Sequence, residues 1–305
     1  MTITHVRSVG IAVPELNAAR EFYSRHWALE ELDSDDDRLY LGAGSPENYV
    51  LRLRRAEHSS IDFVSLAVET AGEVDAYAQR VSAHPLATMV QEPAPRQDRG
   101  GGYGFQFFDC DGRLVEISAD LELRPFYEVE PGERRPKKIS HVVFNTPDLT
   151  KTHTFYQEAL GFKISDWVEN FFCFMRSSSI HHIVAFARSE NTSLNHISFE
   201  VRGLDEFMRA TGSMMRLGHK VLWGPGRHGA GDNTFSYFQD PQTGYVMEYT
   251  TALAEIDESH GWTPRVYSTS DEDTDQWGTS NAFDEVILKE MHGPTDPGLW
   301  TRAPF

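Results

Sequence analysis

The chain contains one segment twice, and that repeat restricts the folds open to it. SHVVFNTPDLTKTHTFYQEALGF (140–162) aligns with RSVGIAVPELNAAREFYSRHWAL (7–29), so that Pro147 falls on Pro14 and Phe155-Tyr156 on Phe22-Tyr23 at an offset of 133 residues. At the same offset LNHISFEV places His196 on Phe63, and His141 falls on Ser8. GYVMEYTTAL matches GRLVEISADL at an offset of 132, which places Glu248 on Glu116. One fold unit is therefore used twice, and only the second copy carries two imidazoles together with the carboxylate. Packing alone gives no reason for that asymmetry.

The alternation of apolar residues makes each copy a strand, a helix and a run of strands. In the first module VRSVGIAV leads to a helix from Pro14, followed by the strands LYLGA, YVLRLR, FVSLAV, FQFFD and LVEIS. In the second, ISHVVFN leads to a helix over 147–160 with Gly161 as its C-cap. Strands follow at 171–176, 180–187, NHISFEV, TFSYFQD and YVMEYT, with a further helix over 204–217 stopped by Gly218. The expected fold is α+β: two tandem modules of paired βαβββ units, each a curled, partly closed sheet. The expected boundaries are 1–120 for a first module without a metal site, 121–138 for a charged, Pro-rich linker and 139–251 for the module bearing the site. The acidic, Trp-containing stretch 252–305 is expected to pack across the second module as a lid or inter-subunit contact.

Period-2 alternation puts His141, Val143 and Asn145 on one strand face, His196, Ser198 and Glu200 on another, and Val246 and Glu248 on a third. A curled sheet with these faces inward brings His141, His196 and Glu248 together. A buried carboxylate without a partner is costly, and a divalent cation removes that cost. Two neutral imidazoles and one carboxylate with positions left open form the donor set suited to non-haem Fe(II).

Around this triad, IHHIVAFA offers His182 as an inward base with a pKa near working pH, its neighbour His181 being structural or exposed. GPGRHGAGDNTFSYFQDPQTG (224–244) is glycine-rich, but no GK[ST] or helix follows, so a loop over a pocket suits it better than a phosphate cradle. His228 and Tyr237 are catalytic candidates there. The substrate-binding candidates are His181, Asp232, Asn233, Trp167 and Phe174. The last two lie in the aromatic segment 167–174, which reads as pocket wall or plain core strand. Trp223 and Trp277 read equally either way.

ISHVVFNTPDL, HHIVAF, LNHISFEV, GPGRHG and YFQDPQTGYVME together resemble the type I extradiol ring-cleavage dioxygenases of the vicinal oxygen chelate superfamily, over roughly residues 5–252. The resemblance implies Fe(II), with Mn(II) as the other option, on His141, His196 and Glu248. It also implies an acid–base role for His182, active-site roles for Tyr237 and His228, and a catalytically empty first module. DPQTG makes the Tyr-to-Glu spacing one residue longer than usual, which a longer turn absorbs. The implied substrates are an aromatic diol and O₂, cleaved beside the hydroxyls to a muconic-semialdehyde-type product. The alternatives are a glyoxalase-like metal isomerase or hydrolase, or a small-molecule binding protein, of the same superfamily. Homo-oligomers are a habit of the resembling family.

A net charge of −18 argues against a nucleic-acid partner, which needs surplus Lys and Arg. Cys110 and Cys173 lack metal-type spacing and suit a reduced compartment. With no signal-peptide core and no run of about 18 apolar residues, the expectation is a cytoplasmic protein without a membrane partner.

Overall fold

A computed structural model describes residues 1–304. The first module consists of β1 (His5–Val13), α1 (Leu16–Arg20), β2 (Glu30–Ser34), β3 (Arg38–Gly42), β4 (Leu51–Arg55), β5 (Ser60–Ala67), α2 (Ala71–Ser82), β6 (Thr88–Pro95), β7 (Tyr103–Phe108) and β8 (Leu114–Ala119). The second repeats the order with β9 (Lys138–Thr146), α3 (Leu149–Leu160), β10 (Lys163–Val168), β11 (Phe172–Arg176), β12 (Val184–Arg188), β13 (Ser193–Glu200), α4 (Leu204–Arg216), β14 (Trp223–Arg227), β15 (Thr234–Gln239) and β16 (Val246–Thr251). The tail adds β17 (Arg265–Tyr267), α5 (Asp271–Thr274) and α6 (Glu285–His292).

Each module is one open, curled sheet. The strand orders are β2-β3-β4-β1-β5-β8-β7-β6 and β14-β15-β16-β13-β9-β12-β11-β10-β17. In both, the first strands of the two βαβββ halves pair antiparallel at the centre (β1 with β5, β9 with β13). Each is flanked by a parallel strand, β4 and β8 in one module, β12 and β16 in the other. The main core runs through both modules without a break. Trp27, fully buried, leaves the first module to stack on Tyr249 of the second at 3.8 Å between ring centroids.

Local chemistry explains the elements that match expectation. Asp148 accepts the Lys151 backbone N–H and opens α3, while Gly161, at φ 75°, closes it in the left-handed region that favours glycine. The helix after Pro14 instead widens at Glu21–His26, where the Trp27 N–H reaches the Phe22 carbonyl five residues back. That wider turn buries Phe22, Tyr23 and Trp27 together.

Other elements depart from the sequence reading. The expected strand 180–187 is regular only from Val184: Ile180 and His181 pair with the tail, through a bridge to Glu255 and the His181 N–H to the Ala254 carbonyl, while Ile183 already bonds Val142 and Met175. The start of the glycine-rich stretch is not loop but edge strand β14, where proline is tolerated. Edge strands β2 and β6, and helix α2, were not anticipated. Thr70 caps α2 by accepting the Glu73 N–H, with Val74, Tyr77, Ala78 and Val81 on its buried face.

Candidate metal centre and active site

The site is built on three neighbouring strands, β16, β13 and β9. Ser198 at the centre lies opposite both His141 and Glu248 in register, and His196 sits two residues along on the same face. All three candidate ligands are buried, with ligand atoms within 4.8 Å of one another. His141 Nε2 is 3.1 Å and His196 Nε2 3.6 Å from Glu248 Oε2. The other ring nitrogens are occupied. His196 Nδ1 donates to Asn195 Oδ1 at 2.7 Å, and Asn195 is braced by Asn145 at 2.9 Å. His141 Nδ1 meets Ser140 Oγ at 3.1 Å. Partners of this kind aim the free Nε2 atoms of both rings at the centre.

The triad fits a divalent cation on its own polar accounting. His196 Nε2 and both Glu248 carboxylate oxygens are buried without a hydrogen-bond partner, in a protein whose buried polar groups are otherwise mostly paired. The equivalent point of the first module shows the other solution. There Glu116 Oε1 accepts from Arg96 Nε at 3.0 Å and Ser65 Oγ at 2.8 Å, and Oε2 from Gln106 at 3.2 Å. Phe63 replaces the second imidazole, with the Arg52 guanidinium 4.6 Å above its ring. A guanidinium neutralises the carboxylate of the first module; among the described residues none pairs with Glu248.

Burial alone would push the Glu248 carboxyl up, but the imidazoles of His141, His196 and His228 overcome it and hold the group at about 2. Burial pulls His196 down to about 3 against the opposing pull of Glu248. The site therefore presents the Glu248 carboxylate and a neutral His196 imidazole, the protonation states that metal binding needs of those two groups.

A largely apolar cavity of about 120 Å³ opens from the triad. Its size is comparable to the roughly 150 Å³ that accepts one benzene ring. His182, His228, Tyr237, Asn233 and Phe174 line it. Tyr237 stands directly across the β15–β16 hairpin from Glu248. His228 Nδ1 donates to the Thr274 carbonyl at 3.1 Å, which leaves Nε2 to accept the Tyr237 hydroxyl at 2.9 Å. Burial raises the Tyr237 hydroxyl well above its ordinary range, with the Glu248 charge adding to it, so it stays a donor. The His182 ring lies 4.3 Å from that of His141. Burial, helped by the neighbouring imidazoles, depresses it well below the ordinary histidine range, not near working pH as the sequence suggests.

Three candidates lie elsewhere. His181 is neither exposed nor at the cavity; it stands behind His182, between that ring and Asp166. Asp232, at φ 52°, turns outward and clamps Arg227 through two contacts of 2.8 Å. Trp167 follows the alternation of β10 to the opposite face and packs on His153. Of the ambiguous tryptophans, Trp223 lines the cavity and stacks on Tyr237, whereas Trp277 is surface. The sequence reading missed Asn195, whose signal was its place beside a ligand; Val143, placed on the inward face with His141, lines the cavity as well. The same reading also missed Thr274, Phe283, Leu288 and Met291, which the tail brings to the cavity.

Residues 138–249 match the glyoxalase/bleomycin resistance protein/dioxygenase superfamily. A Mn(II)-bound glyoxalase from Novosphingobium aromaticivorans superposes with a TM-score of 0.92 at 36% identity, over 99% of this chain and 98% of that one. Metapyrocatechase 2 of Cupriavidus necator is 29% identical over 63% of this chain and 64% of its own length. The manganese-dependent 2,3-dihydroxybiphenyl 1,2-dioxygenase of Geobacillus genomosp. 3 is 23% identical over 79% and 82%. The chain belongs to the glyoxalase/bleomycin resistance protein/dioxygenase superfamily, also called the vicinal oxygen chelate superfamily. A further relative by sequence, from Rhodococcus jostii (strain RHA1), is named an iron-dependent extradiol dioxygenase and is 23% identical over 87% of this chain and 94% of its own length.

Proposed function

We propose that the protein is a metal-dependent extradiol dioxygenase that opens an aromatic diol beside its hydroxyls. The observation that carries this is the combination of a buried, close-set His-His-Glu triad, a neutral His182 and the Tyr237 hydroxyl around a single-ring, apolar cavity. His141, His196 and Glu248 would hold the ion, Fe(II) by preference and Mn(II) as the other option. When bound, such an ion supplies a common anchor for diol and O₂ and a path for electron density between them.

The chain's own residues do the rest. His182, neutral and within the cavity, accepts a proton from one diol hydroxyl and returns it later as an acid. Tyr237 donates to a substrate oxygen, giving up its bond to His228. His228 Nε2 is then free to bond the other oxygen. Asn233 Oδ1, buried without a partner, adds an acceptor while its amide nitrogen is tied to Thr250 at 2.9 Å. Phe174 and the tail residues Phe283 and Met291 keep water from the ring. The tail serves as the lid of the site, and the same reading includes a cytoplasmic homo-oligomer without nucleic-acid or membrane partners. No helix among the described residues is long and apolar enough to cross a membrane.

A glyoxalase-like isomerase is the second reading, favoured by the name of the structure similar at 36% identity. Such sites commonly use more carboxylates and draw ligands from two modules, whereas here the first module offers Ser8 and Phe63. The test is anaerobic loading with Fe(II) or Mn(II), followed by O₂ uptake and absorbance scans with a panel of catechols. Uptake with a new yellow chromophore supports ring opening; turnover of a hemithioacetal without O₂ supports the isomerase.

A further inference from the structure

Behind His182, on the side away from the cavity, lie two buried groups that the mechanism does not use. Asp166 and His181 are 2% and 1% exposed. His181 Nε2 is 2.9 Å from Asp166 Oδ2, and His181 Nδ1 is 2.9 Å from His182 Nδ1. The other Asp166 oxygen accepts the Arg265 backbone N–H at 2.7 Å, from tail strand β17. Trp262 bonds the Ser165 carbonyl at 2.6 Å, and the Ser165 hydroxyl bonds the His181 carbonyl. Both residues are thus clamped at backbone and side chain.

We propose that Asp166 and His181 are positioning residues that hold His182 in its Nδ1–H tautomer, so that its Nε2 lone pair faces the cavity. The proposal rests on the reading of His182 as the base of a diol-opening site. The donor count dictates the order. A carboxylate only accepts, so His181 Nε2 donates to Asp166. The proposal gives His181 one ring hydrogen, on Nε2, so that its Nδ1 is an acceptor and the short contact between the two Nδ1 atoms is made by a hydrogen on His182. What remains on His182 is a bare Nε2, which makes no hydrogen bond to the described residues. The Phe174 ring at 4.9 Å and the His141 ring at 4.3 Å, measured between centroids, hold the imidazole in place. The opposite tautomer would put a hydrogen where a substrate proton must arrive, and the base would be lost without any change in shape. The tail takes part through Arg265, which fixes the carboxylate that starts the chain.

The test is long-range ¹H–¹⁵N imidazole NMR on the full chain loaded with diamagnetic Zn(II), paired with kinetics on the Fe(II)-loaded chain. In the wild type, His182 is expected to carry its hydrogen on Nδ1. In Asp166→Asn and His181→Phe the resonance should move toward the Nε2–H form or a mixture. In turnover, His181→Phe should lose about 10–100-fold in kcat with KM for the diol and metal content about unchanged. His181→Asn, whose amide oxygen can stand where Nδ1 stood, should regain most of the loss, which a purely structural role would not give. An Nε2–H tautomer in the wild type, or a His182 tautomer unchanged in both Asp166→Asn and His181→Phe, would overturn the proposal. If the wild type opens no diol, the functional reading fails, while the spectra still decide the tautomer.

Discussion

At the scale of single residues, the two modules show how one position is used in opposite ways. Phe63 and His196 are equivalent, and so are the residues they face across the central strand pair, Gly10 and Val143. A Cβ on Gly10 would fall 2.4 Å from the Phe63 ring, so the first module needs glycine there. The second has valine, because an imidazole needs less room. His196→Phe should therefore lose the metal and also strain the core by about 1–3 kcal/mol. Adding Val143→Gly should recover part of the stability and none of the metal, read by urea unfolding and metal analysis. The same residues set the acid behaviour of the metal-free chain. His196 protonates at about 3 folded against 6.5 free, and Glu248 at about 2 against 4.5. In both cases the unfolded chain binds the proton first, so stability falls as pH drops below 6.5 and keeps falling toward 3. Urea midpoints of the chelator-treated protein between pH 7 and 4 check this; a flat profile would contradict it.

At the scale of elements, the tail matters most to the site. Its helix α6 places Ile287 and Met291 in a small core with Trp223, Phe235 and Tyr237, and the Thr274 carbonyl fixes the His228 ring. Truncation after Thr251 should raise KM for a diol at least about tenfold, since burying each large apolar side chain is worth about 1.5–3 kcal/mol. Unchanged affinity in the truncated chain would contradict the lid. This element was the least legible in the sequence. Period-2 alternation exposes the ligand strands because their inward faces are His, Ser and Glu against apolar neighbours, and Gly161 marks the end of α3. The tail carries no such period. The pairing of Asp166 with His181 was also hidden, because an Asp and a His fifteen residues apart carry no sign that a tail strand will lock them together. Asp232 and Trp167 misled for a related reason: their neighbours face the cavity, but alternation and a left-handed turn send them outward.

At the scale of the whole molecule, the repeat gives one cooperative unit and not two independent ones. The core is continuous, and Trp27 crosses between modules to stack on Tyr249 and offer its carbonyl to that hydroxyl at 3.2 Å. A single unfolding transition is expected, and Trp27→Ala should lower its stability by about 3–5 kcal/mol. Two separate calorimetric transitions in the wild type would contradict this unity. The first module contributes no ligand, yet without it the second module would expose the face that Trp27 covers. That accounts for a chain that keeps a second copy of its own fold in which Ser8 and Phe63 stand where the other copy has imidazoles.

The central claim is that His141, His196 and Glu248 hold a redox-active ion on which a diol and O₂ react. The most direct measurement is O₂ consumption by the Fe(II)-loaded wild type with a catechol panel, beside Glu248→Gln prepared in the same way. The account predicts uptake with a yellow ring-opened product in the wild type, and loss of both bound metal and uptake in the variant. A wild type that binds one ion per chain but consumes no O₂ with any diol, or a variant that turns over as fast, would contradict it.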